Sequence, residues 1–91
     1  MKVDICGIPH TVIETENVFD TTLNFGMISF QNCEIKINKD MPNELKSVTL
    51  CHEILHGILT HLGYYDKSDD EQFVQSMAQA INQSFTVKGY D

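Results

Sequence analysis

Hydrophobic residues change their rhythm part-way along the chain. Over the first 40 positions they fall in short runs or alternate with polar residues, as half-buried strands require. Val3–Cys6 is a short apolar run stopped by Gly7, and His10–Glu14 alternates around Val12. Gly26–Phe30 and Glu34–Asn38 flank Gln31-Asn32-Cys33, and the second alternates as Glu-Ile-Lys-Ile-Asn. These four runs predict a small antiparallel sheet with one buried face. Residues 15–24, rich in Thr, Asn and Asp, read as a loop. Asp40-Met41-Pro42-Asn43 then carries helix-start chemistry, with Asp or Asn available to cap and Pro tolerated in the first turn. From there the period lengthens. Leu45, Val48, Leu55, Leu59 and Leu62 recur at helical intervals and Gly63 supplies a stop, which predicts a helix over about 43–62. Ser68-Asp69-Asp70-Glu71 has the form of a capping box, and Val74, Met77, Ala78, Ile81 and Phe85 follow as one stripe. A second helix is expected over about 69–85. The class is therefore α+β, a sheet of three to four strands packed against two helices.

Ninety-one residues make one domain, spanning 1–91, with a modest core. A composition 42% hydrophobic and 21% charged is that of a globular chain rather than a disordered one. No apolar run reaches the roughly 20 residues that span a bilayer, and the first residues lack a signal-peptide core. Three cysteines, Cys6, Cys33 and Cys51, show no C-x-x-C spacing. They read as free thiols and small core residues of a cytoplasmic protein. The net charge is −7 and arginine is absent, which removes the bidentate fork for phosphate and argues against nucleic acid as a partner.

Residues 52–56 read His-Glu-Ile-Leu-His. On a helix, positions i and i+4 share a face, so His52 and His56 can offer two imidazoles to one cation. Glu53, beside the first, is then placed to take a proton from water held by that cation. Both histidines fall on the Leu45–Val48 stripe and are expected to face inward. The bland alternative is two core histidines with hydrogen-bond partners. His61 is about 140° and 180° around the wheel from His56 and His52, so it reads as a surface histidine. Glu71 begins the apolar stripe of the second helix and is the better third ligand, with Asp70 as runner-up. Asp66 and Asp69 read as solvated loop residues.

The run Thr49-Leu50-Cys51-His52-Glu53-Ile54-Leu55-His56-Gly57, followed by Glu71-x-x-Val74-x-x-Met77-Ala78, resembles the small HExxH zinc metallopeptidases of the ImmA/IrrE-like type, many of them bacterial or phage-borne. Val74 and Met77 stand where that family usually has Ala and Phe. The resemblance implies a minimal zincin-like domain in which Zn²⁺ is held by His52, His56 and Glu71 and Glu53 is the general base. It also implies a peptide or protein substrate lying as an added strand on a sheet edge, expected at Glu34–Asn38. Tyr64, Tyr65 and His61 are the candidates for a second oxyanion donor.

Three function classes follow: a metallopeptidase, a zinc-binding partner domain without hydrolysis, and an acidic decoy in which the motif is accidental. Neither substrate nor oligomeric state is legible in the chain.

Overall fold

The structure is a computed structural model that describes residues 1–16 and 25–85. The loop expected over 15–24 lies, from Asn17 onward, outside the described residues, as does the tail from Thr86. The elements run β1 (Lys2–Ile5), β2 (Ile8–Thr15), β3 (Gly26–Ser29), β4 (Glu34–Asn38), α1 (Asn43–His61), α2 (Tyr65–Ser68) and α3 (Glu71–Ser84). The α+β class is as expected.

The sheet departs from expectation in one respect. Its order is β1-β2-β4-β3, and β2 pairs with β4 in parallel, with Val12 opposite Ile35 and Glu14 opposite Ile37. The sheet is thus mixed, because β3 lands one strand away from β2 and the β3–β4 hairpin folds β4 into the gap. Strand β4 is therefore internal, not the edge that the sequence suggested. Ile35 and Ile37 are fully buried, and the alternation that marked them fits a central strand with one covered face as well as an edge. The β1–β2 hairpin turns through Cys6 and Gly7, both at positive φ (52° and 82°), a backbone whose twist suits a two-residue hairpin.

Helix α1 lies across the sheet. Its core face is Leu50 with Ile54 and Ile58, packed on Ile5, Val12, Ile35 and Ile37. This is a different stripe from the one read in the sequence: Leu45 and Val48 line a groove instead, and Leu62 is exposed. Gly57 lets the helix approach closely, since a Cβ there would sit 3.0 Å from Ile5 Cδ1 and 3.1 Å from Ile28 Cδ1. Pro42 occupies the N-cap of α1 and no side chain caps it, so neither Asp40 nor Asn43 does what the sequence offered. At the other end Gly63, at φ 85°, closes the helix as expected, with Tyr64 N–H donating to the Leu59 carbonyl at 2.8 Å. The short α2 was not legible. Nor does Ser68 cap α3; Asp70 does, its carboxylate accepting from Phe73 N–H at 3.0 Å. Val74 and Ala78 are fully buried beneath α3, whereas Met77 and Phe85 point outward. Of the cysteines, only Cys51 is a core residue; Cys6 is exposed in its hairpin turn and Cys33 is half-buried.

Candidate metal centre

His52 and His56 stand one turn apart on α1, and Glu71 opens α3 opposite them. The three side chains converge. Glu71 Oε2 lies 3.0 Å from His52 Nε2, Glu71 Oε1 lies 2.9 Å from His56 Nε2, and the two Nε2 atoms are 3.1 Å apart. One ligand atom from each lies within 4.8 Å of the others, the single such group of three among the described residues. Without a cation, atoms this close must share protons between lone pairs. With one, they supply an N₂O donor set of the kind that binds Zn²⁺ or a similar ion and leaves a coordination position open. The fit is to a divalent ion that accepts imidazole nitrogen and carboxylate oxygen together.

The setting differs from the sequence reading in depth. The histidines face α3 and the groove rather than the core, with 16% and 15% of their side chains exposed. Glu71 is 69% exposed yet folds its carboxylate inward. Asp70, the runner-up ligand, is occupied as the α3 cap. His61 points elsewhere, its ring edge-on to His10 at 6.2 Å and to Phe30 at 6.3 Å. Asp66 lies in α2, and Asp69 reaches the groove rim.

Glu53 sits beside the triad in the groove wall and is only 7% exposed. Burial pushes its carboxyl up to about 7; His52 pulls it down and the Glu71 charge adds to the rise. Two residues complete the surroundings, Gln75, which the sequence reading passed over, and Ser68, which it took for a helix cap. Gln75 Oε1 is 2.7 Å from His52 Nδ1, and Ser68 Oγ is 3.3 Å from His56 Nδ1. Gln75 follows Glu71 by four positions, and that spacing was the available signal.

The groove encloses about 1000 Å³ and runs between α1 and β3. Its walls include Phe25, Gly26, Met27, Leu45 and Val48, with Phe30 and Tyr65 also lining it; Tyr64 and His61 do not. Gly26 is what brings the strand to the site: a Cβ there would meet Thr49 Cγ2 at 2.8 Å and Glu53 Cγ at 3.4 Å. Among the described residues, β3 is the outer strand on this side. Asn38 N–H donates to the Phe25 carbonyl at 2.8 Å, so Phe25 belongs to a hydrogen-bonded pair. By antiparallel alternation Gly26 and Ile28 turn their N–H and C=O groups away from β4, toward the outer side of the strand.

Comparison of the chain with protein-family models, with curated protein sequences and with solved structures yields no match.

Proposed function

We propose that the protein is a metal-dependent peptidase, most simply a zinc enzyme, with Glu53 as its general base. The observation that carries this reading is the juxtaposition of a three-ligand donor set with a buried carboxylate in a groove beside β3, the outer strand among the described residues. A donor set alone would suit a structural ion; the added carboxylate in a groove wall is what hydrolysis needs. A divalent cation held by His52, His56 and Glu71 would supply Lewis acidity toward a carbonyl oxygen and acidify water. Glu53 accepts the proton of the attacking water and returns it to the leaving amine. Its burial suits both duties, because a carboxyl walled off from bulk water passes its proton within the site.

The substrate backbone binds along β3, not along the internal β4. Gly26 and Ile28 offer it outward donors and acceptors, so an extended peptide would add as a strand and pass in front of Glu53. Tyr65, which lines the groove, is the better placed of the proposed oxyanion donors.

The test uses the zinc-loaded protein and a mixture of extended peptides, with products read by mass spectrometry. Wild type is expected to cleave, and Glu53→Gln to lose at least about 100-fold in rate while keeping one zinc per chain. Equal cleavage by the variant would remove Glu53 from the chemistry. Zinc binding without cleavage by wild type would favour a partner-binding zinc domain instead.

A further inference from the structure

Coordination through Nε2 obliges each imidazole to carry its proton on Nδ1. Both Nδ1 atoms already face an oxygen. Gln75 Oε1 lies 2.7 Å from that of His52, and Ser68 Oγ lies 3.3 Å from that of His56. Ser68 is 7% exposed, and the bonds of its hydroxyl balance. Its one proton goes to the His56 carbonyl at 3.3 Å. Its lone pairs remain for the His56 Nδ1–H and for the Thr60 hydroxyl at 3.0 Å. Helix geometry explains the pairing on the other histidine. Glu71 and Gln75 are four apart on α3, so one face of that helix presents a carboxylate to the Nε2 side of His52 and an amide oxygen to its Nδ1 side.

We infer that Gln75 and Ser68 are positioning residues of the metal centre, each holding one histidine in the ring orientation and Nδ1–H tautomer that a cation requires. The inference rests on the metal-centre reading above. It adds that affinity is set partly by two neutral side chains that are not themselves ligands. It also gives the short helix α2 a purpose: it delivers Ser68 to His56.

The experiment is zinc competition against a chromogenic chelator, on wild type and on Gln75→Leu, Gln75→Glu and Ser68→Ala. It is paired with proton–nitrogen correlation spectra of the histidine rings in the zinc-loaded proteins. Gln75→Leu and Ser68→Ala are each expected to lower zinc affinity by about 10–100-fold. Gln75→Glu is expected to hold or tighten it, because a carboxylate accepts the same proton more strongly. Loaded wild type should show two slowly exchanging ring protons on Nδ1, and Gln75→Leu should lose that of His52. Unchanged affinity in Gln75→Leu, or ring protons on Nε2 in loaded wild type, would overturn the inference. The wild-type spectrum decides even if a variant folds poorly. Should wild type bind no zinc at all, the metal-centre reading itself falls, an outcome distinct from a wild type that binds and a Gln75→Leu that binds equally.

Discussion

At the scale of single residues, the most telling is Glu53, because it is costly to the fold. A half-exposed glutamate at that point of α1 would serve stability better than one that is 7% exposed. In the metal-free protein its carboxyl titrates near 7, against 4.5 for an ordinary glutamate. The folded state then holds a proton between those values that the unfolded chain has released. Stability is therefore greatest below about 4.5 as far as this group is concerned, and it is lost as pH rises through 7, by an amount on the order of 3 kcal/mol. Glu53→Gln removes the charge. Urea unfolding of chelator-treated protein should find the variant more stable than wild type at pH 8 and much closer to it at pH 5. The same difference at both pH values would mean that the carboxyl is not held in a desolvated place. Stability surrendered at one residue beside three convergent ligand atoms is what the proposed chemistry would require.

Between elements, the decisive contact is β3 against α1, and Gly26 permits it. Gly26→Ala would set a methyl 2.8 Å from Thr49 Cγ2 and 3.2 Å from the Lys36 carbonyl oxygen. The strand must then move off the helix, at about 1–3 kcal/mol, carrying its outer side away from Glu53. Thermal unfolding should show that loss, and adding Thr49→Ser, which deletes the obstructing methyl, should recover part of it. A double variant no better than the single one would place the strain at Lys36 instead. Elements of this kind explain what was legible beforehand. The limits of β4 and, to within a residue, of α1 follow from alternation, helical period and Gly63, all local signals, whereas α3 was legible as a helix but starts two residues later than the Ser68 capping box suggested, at Glu71. The placing of β4 between β2 and β3 did not follow, because alternation records that one face is buried and not how many neighbours a strand has. The stripe of α1 was misassigned because the helix has two apolar surfaces, one on the sheet and one in the groove. Leu45 and Val48 belong to the second. His52, Glu53 and His56 were readable from their spacing and Glu71 from its place on α3, since i and i+4 positions carry geometry in the sequence itself. Gln75 escaped notice and Ser68 was read as a helix cap, because a neutral side chain shows its role at such a site only when its partner's unliganded nitrogen is in view.

Among the described residues the molecule is two layers, a four-stranded sheet and its helices, and the ligand set adds to the packing and the Ser47–Asn82 hydrogen bond that already join α3 to α1. Val74 and Ala78 are the only fully buried apolar side chains of α3 among the described residues. A cation shared by His52, His56 and Glu71 would tie α3 to α1 directly, so metal and fold should be coupled. The account stands or falls on that ion. The most direct measurement is calorimetric titration of chelator-treated protein with zinc, on wild type, His52→Ala and Glu71→Ala. The expected result is one saturable equivalent per chain for wild type, at least about tenfold weaker binding for Glu71→Ala and no specific binding for His52→Ala. No saturable equivalent in wild type, or the same affinity in all three, would contradict it.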